Sequence, residues 1–148
     1  MIQKVNEHNL EDAARIHSET WKFAHRGLCS EEFLMLHTPE HQREFLKKII
    51  ADGSELYLLY LDGQPVGMVS VLYNVISNLY VLPSMHHRGC GLQLLSFAVK
   101  RCVRHPHLWV LSSNRAALRL YGKFGFRPSG REEPLSGGVS EIEMVYCA

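Results

Sequence analysis

Gly89 and Gly91, set two apart between the basic run His86-His87-Arg88 and the start of an apolar helix, have the types and spacing to cradle a pyrophosphate. Glycines let the backbone curl without Cβ clashes, and the amides they expose add to the free N–H groups and partial positive charge of a helix N-terminus. Cys90 and Leu92 share that first helical turn. The loop lacks the parts that other phosphate binders require. No Gly-Lys-Ser/Thr is present, which argues against a P-loop with magnesium, and the third glycine of a dinucleotide fingerprint would fall at Leu94. The ligand implied brings a pyrophosphate and needs neither a P-loop lysine nor a metal.

A second constellation follows the short apolar run Leu108-Trp109-Val110-Leu111: Asn114, Ala117, Tyr121, Gly125 and Phe126. Asn114 suits the N-cap of a helix, and Gly125 falls where a left-handed residue would close it, with Phe126 folding back onto it. Taken singly, those three are explained by capping and packing. Tyr121 is different. One turn before the helix end, between Leu118 and Phe124, it would bury its ring and need a partner for its hydroxyl.

These two segments resemble the signatures of the GCN5-related N-acetyltransferases. The first, Gln/Arg-x-x-Gly-x-Gly/Ala after a strand ending near a proline, reads here as His86-x-x-Gly89-x-Gly91 after Ile76 to Leu82 and Pro83. A histidine replaces the usual glutamine or arginine, while His87 and Arg88 keep the loop basic. The second, Asn-x-x-Ala-x-x-x-Tyr-x-x-x-Gly-Phe, aligns without a gap on Asn114, Ala117, Tyr121, Gly125 and Phe126. The resemblance implies an α/β fold with a mixed, mostly antiparallel central sheet flanked by helices and splayed between its two central strands. It implies acetyl-CoA as co-substrate, held by Leu79, Tyr80 and Val81, by His86, His87, Arg88, Gly89, Cys90, Gly91 and Leu92, and by Asn114, Ala117 and Tyr121.

A chemical course comes with that resemblance. Strand residues beside the splay can bond the pantetheine amides as an added strand would. A backbone N–H near Leu79 polarises the thioester carbonyl, and a neutral amine attacks directly. Tyr121 then gives its proton to the departing thiolate, since a phenol with an ordinary pKa of roughly 10 is protonated at neutral pH.

The general base is less legible. Many relatives carry a glutamate on the strand leading into the glycine loop, about where Val75 stands, and no carboxylate occurs between Gln64 and Arg88. Glu31, Glu32, Glu141, Glu143 and His25 are the candidates, beside a water chain or an amine that arrives neutral. Trp21-x-x-Ala24-His25-Arg26-Gly27 resembles a Trp-x-x-Ala-Tyr-x-Gly pattern of some family members. Trp21 and His25 share a helix face at i and i+4 and are expected to line the pocket for an amine. Among the nine histidines, His37-Thr38-Pro39-Glu40-His41 matches the inverted zinc-protease motif letter for letter. Pro39 breaks the helical turn that the motif needs, so no metal site is expected.

The elements that must position these residues are read from periodicity. Ile2 to Val5 reads as a strand. A helix runs from Asn9 or Leu10 to about Ala24 with Ala13, Ile16, Thr20 and Phe23 on one side. Further helices start at Ser30 and Pro39, the latter carrying Phe45, Leu46, Ile49 and Ile50. Leu56 to Leu61 and Val66 to Leu72 form a hairpin around Asp62-Gly63-Gln64, and Val75 to Leu82 adds a third antiparallel strand. The helix after the glycine loop places Leu92, Leu95, Ala98, Val99 and Cys102 at spacings of three and four and ends at His105-Pro106. The last strand pair comprises Leu108 to Ser112 and Val139 to Tyr146, with Ser136-Gly137-Gly138 as a loop between the last strands.

At 148 residues and 46% apolar content the chain suits a single domain, residues 1–148. Its net charge of +1 argues against nucleic acid as a partner. Apolar runs are too short for a membrane span and the N-terminus has no signal-peptide core, so a cytoplasmic location is expected. Cys29, Cys90, Cys102 and Cys147 show no disulfide or metal spacing. The reading is an N-acetyltransferase acting on a small-molecule amine or a peptide N-terminus, as monomer or homodimer. The alternatives are a non-catalytic acyl-CoA-binding sensor or interaction module, and a redox or nucleotide enzyme using the same glycine loop.

Overall fold

The computed structural model describes residues 1–27, 30–135 and 138–146. Cys29, Cys147, Ser136 and Gly137 lie outside them. The elements run β1 (Ile2–Lys4), α1 (Leu10–Ala24), α2 (Glu31–Met35), α3 (Pro39–Ala51), β2 (Glu55–Leu61), β3 (Gln64–Leu72), β4 (Val75–Val81), α4 (Cys90–Arg101), β5 (His107–Leu111), α5 (Arg115–Phe124), β6 (Phe126–Pro134) and β7 (Ser140–Tyr146). The strands form one seven-stranded sheet in the order β1-β2-β3-β4-β5-β7-β6. All neighbours are antiparallel except β4 and β5, which are parallel.

Strand periodicity divides the core between the two faces. Along β2, Leu56 and Leu58 pack with Ala13, Ile16 and Leu46 of α1 and α3, while Tyr57 and Leu59 turn to the opposite face with Leu94, Leu95 and Ala98 of α4. The β2–β3 hairpin closes on a two-residue turn, because Asp62 and Gly63 both adopt positive φ, 51° and 77°. That is the conformation an Asp-Gly pair supplies and one that matches strand twist. Gln64 is therefore already in β3, one position earlier than the turn expected for it.

Several helix expectations are adjusted. Of the apolar residues noted on these helices, Phe23, Phe45 and Ile50 are exposed, because α1 and α3 bury narrower stripes centred on Ile16 and Leu46. On α4, Leu92 is exposed and Leu94 is fully buried, where its side chain meets the sheet at Gly67.

The segment after Gly125 corrects the sequence reading most. Phe126 does fold back onto α5, its ring 6.0 Å from Tyr121 and 6.2 Å from Phe124. It also begins a nine-residue edge strand, β6, that was not foreseen. A register shift between Pro128 and Glu132 accommodates the proline and Gly130, as an edge strand allows.

Candidate active site

Between β4 and β5 the only paired position is Val75 with His107. Beyond it the strands separate, so the β5-facing edge of β4 from Ile76 onward has no strand beside it. On its other side β4 carries a bulge. Tyr80 pairs with Met68 and Ser77 with Ser70, so Asn78 and Leu79 together stand opposite Val69 alone. Asn78 takes φ 52°, a left-handed conformation that asparagine tolerates better than most residues.

The splay opens a cleft of about 270 Å³. Its walls are Ser77, Asn78, Leu79 and Tyr80 of β4, Trp109 to Leu111 of β5, Asn114, Ala117 and Tyr121 at α5, with His25, Leu135 and Glu141 at the mouth. Five of the residues expected to bind coenzyme thus come together here: Leu79, Tyr80, Asn114, Ala117 and Tyr121. Asn114 is the N-cap of α5, its Oδ1 accepting from the Ala117 N–H at 3.1 Å. Gly125 ends the same helix at φ 128°, with its N–H on the Tyr121 carbonyl.

Tyr121 is 91% buried, and among the described residues its hydroxyl has no hydrogen-bond partner. Burial first, and the neighbouring Tyr80 phenol second, push its pKa well above the usual phenol range. Burial likewise pushes Tyr80 up to about 12. Both phenols hold their protons at any ordinary pH.

The glycine loop lies beyond the end of β4. Pro83–Met85 form a short 3-10 turn, and Gly89 at φ 80° is the N-cap of α4 with no side chain capping it. The amides of the first turn of α4 therefore remain free to meet an anion. His87 and Arg88 are exposed beside them, Cys90 turns into the core, and Gly91 approaches Leu120 of α5, where a Cβ would come within 3.3 Å. His86 bends back to donate Nε2–H to the Val81 carbonyl at 2.9 Å. The histidine that departs from the usual pattern thus braces the loop against β4. His86 through Leu92, like Val81, do not line the cleft itself but follow it along the chain.

At the mouth, His25 lines the cleft and Trp21 does not. The indole is sandwiched, with the His25 ring on one side at 4.0 Å and the His37 ring at 3.6 Å, both near parallel. The i, i+4 relation is present, but its effect is to stack Trp21 behind His25. The His25 Nδ1–H donates to the Trp21 carbonyl at 2.8 Å, so the remaining lone pair of the neutral ring sits on Nε2.

Of the other candidate bases, Glu141 lines the cleft. Glu143 is buried and held by the Ser129 hydroxyl at 2.8 Å and Arg131 at 3.4 Å. Glu31 and Glu32 lie exposed in the first turn of α2. His37 precedes the Thr38 N-cap and Pro39 opens α3, so the two histidines do not share one helix, though their rings lie 5.2 Å apart with Nδ1 of each bonded elsewhere, to the Phe33 carbonyl and to Gln42 Oε1. Among the described residues, no three His, Cys, Asp or Glu side chains come together in a way that could hold a metal ion. No helix is long and apolar enough to cross a membrane, again among the described residues.

Sequence reasoning missed Ser77 and Asn78 as cleft residues. The available signal was an asparagine inside an apolar strand, a residue type that strands disfavour and left-handed bends accept.

A family model for an acetyltransferase (GNAT) domain matches residues 11–147. The spermidine N(1)-acetyltransferase of Thermoplasma acidophilum is 26% identical over 142 residues, covering 85% of this chain and 87% of that protein. The solved PaiA N-acetyltransferase of Thermoplasma acidophilum, in complex with coenzyme A, superposes with a TM-score of 0.72 at 21% identity, covering 99% of this chain and 98% of that one. The ribosomal-protein-S18-alanine N-acetyltransferase of Escherichia coli gives 0.74 at 20% identity, covering 99% and 92%. Structural likeness at such identities speaks for the fold, and the family match spans nearly the whole chain. On that match the chain belongs to the GNAT acetyltransferases, a family of acyltransferase enzymes.

Proposed function

We propose that this protein is an acetyl-CoA-dependent N-acetyltransferase that acetylates a primary amine by direct attack. The observation that carries this reading is Tyr121, a buried phenol whose hydroxyl has no hydrogen-bond partner among the described residues, in the wall of a cleft bordered by an unpaired strand edge. A phenol kept protonated by burial and open toward a cleft is suited to donate to a departing thiolate.

Each wall has a task in that chemistry. The free edge of β4 offers backbone amides and carbonyls to the amide-rich pantetheine arm. The bulge turns the backbone at Leu79 out of the ladder with β3, which suits its N–H to polarise the thioester carbonyl. The uncapped first turn of α4, with His87 and Arg88 exposed beside it, favours the pyrophosphate. Asn114 and Ala117 form the opposite lip. His25, with Nδ1–H committed to the Trp21 carbonyl, presents Nε2 to take a proton from the incoming ammonium. Glu141, which lines the same cleft, draws that cation in.

The acceptor is either a small-molecule amine, as the spermidine in the Thermoplasma acidophilum relative's name suggests, or a peptide N-terminus, the Escherichia coli neighbour being named for an alanine of a ribosomal protein. The test is acetyl-CoA with spermidine in one arm and an alanine-initiated peptide in another, following thiol release. Turnover in either arm supports the reading and identifies the class. Coenzyme binding without thiol release on a wide amine panel would replace it with a non-catalytic acyl-CoA-binding module.

A further inference from the structure

A chain of side-chain hydrogen bonds leaves the cleft at Asn78, passes through α1 and ends on α3. Chemistry decides every donor in it. The Ser70 hydroxyl donates to the Ser77 carbonyl at 3.1 Å, and the Asn78 Nδ2 amide donates to Ser70 Oγ at 3.0 Å. Asn78 Oδ1 is then an acceptor, so His17 Nε2, 3.2 Å away, must carry the hydrogen. The neutral ring keeps its lone pair on Nδ1, where the Gln42 amide donates at 2.6 Å. Gln42 Oε1 in turn accepts from His41 Nδ1–H at 2.7 Å. Reversing any one member would set two donors or two acceptors face to face.

The middle of the chain is buried. His17, Gln42 and Ser70 are 3%, 2% and 3% exposed. The rings of Tyr80 and Phe45 hold the imidazole from the side, with centroids at 5.2 and 5.4 Å. Neither Asn78 nor Gln42 can ionise, so the chain does not relay protons. It terminates instead on the one residue of β4 whose backbone is left-handed, at the bulge that frees Leu79. A leucine at position 17 would fill the same space without a polar group to satisfy, which makes the histidine's donor the feature to explain.

We propose that His17 is a positioning residue: as its Nε2–H tautomer, braced by Gln42, it holds Asn78 in the left-handed conformation that aims the β4 backbone into the cleft. The inference rests on the reading of that cleft as the acetyl-CoA site.

Two substitutions separate the two ring nitrogens. Glutamine places an amide N–H near the position of Nε2, so His17→Gln keeps the bond to Asn78. Asparagine reaches only as far as Nδ1, so His17→Asn keeps an acceptor for Gln42 and loses Asn78. Acetyl-CoA affinity by calorimetry, together with Tm, is measured for the unsubstituted protein and both variants. Expected is an affinity about tenfold weaker in His17→Asn and nearly unchanged in His17→Gln, at similar Tm. Equal affinities in the two variants, or the larger loss in His17→Gln, overturn the proposal. Should His17→Asn not fold, His17→Leu takes its place, since it fills the same space and offers Asn78 no donor. Weakened affinity there supports the proposal and unchanged affinity overturns it. Absence of binding by the unsubstituted protein is a different failure, which withdraws the functional reading and this one with it.

Discussion

The imidazole of His25 lies flat on the indole of Trp21, centroids 4.0 Å apart and planes 17° from parallel, with Nδ1–H bonded to the Trp21 carbonyl. Stacking and hydrogen bond together leave the ring one free nitrogen at the mouth of the cleft. Asparagine at position 25 can keep the bond to the Trp21 carbonyl while removing Nε2. His25→Asn is expected to lower kcat/KM about 100-fold near pH 7. The loss should shrink as pH rises toward roughly 10, where amines arrive already neutral. A pH-independent loss in the rate profile would assign His25 to packing.

Tyr121→Phe removes a single oxygen from a buried ring packed against Phe126. The expected result is a fall in kcat of about 100-fold with acetyl-CoA affinity and Tm nearly unchanged. Because burial holds the Tyr121 pKa above the ordinary phenol range, the native enzyme should show no alkaline limb attributable to this group below about pH 10. Steady-state kinetics across pH, alongside calorimetry, read both effects.

Burial lowers the His17 pKa from 6.5 to about 4, against the opposing bond from Asn78 and with smaller contributions from His37 and His25. The unfolded chain therefore binds the His17 proton at a pH where the folded chain refuses it. The resulting stability is fully present above about pH 6.5 and is lost as pH falls through about 4, a change of about 3 kcal/mol. Urea midpoints at several pH values, compared between native protein and His17→Gln, isolate it from the carboxylates. Parallel curves for the two proteins would contradict the assignment.

Gly67 lies in β3 opposite Val81 of β4, where an added Cβ would meet the Tyr80 carbonyl and Leu94 Cδ1, each at 2.9 Å. One of these contacts is backbone and cannot swing aside. Gly67→Ala is expected to cost about 2 kcal/mol of stability. By displacing Tyr80 it should also weaken coenzyme binding, which chemical denaturation and calorimetry would register as two separate losses.

The parts of this molecule written in local sequence were legible. Asp62-Gly63 announced a hairpin, and Asn114 and Gly125 announced the ends of α5. The spacing from His86 to Gly91 announced a loop feeding a helix N-terminus. What was missed depends on partners distant in the chain. His17 reads as one polar residue on an apolar helix face, and its meaning comes from Asn78, 61 positions away, and Gln42, 25 away. β6 was missed for another reason. It pairs with β7 on one side only, and all of it except Phe126 is exposed. No packing layer imposes an alternating pattern on Arg127 to Pro134, so proline, glycine and charges accumulate there and read as loop. Trp21 and His25 were rightly placed on one helix face, but helical geometry alone could not show that His37 would cover the indole.

The single paired position joining β4 to β5 makes the sheet mechanically two plates, β1 to β4 and β5 to β6, sharing one hydrogen-bonded seam point and a common filling of side chains. A molecule bonded to the free edge of β4 and also touching the α5 lip would act as a splint between the plates. Melting temperature should then climb with the logarithm of coenzyme concentration. The last amides to gain protection from hydrogen exchange should be those along the two lips, where the folded chain leaves its own ladder unfinished.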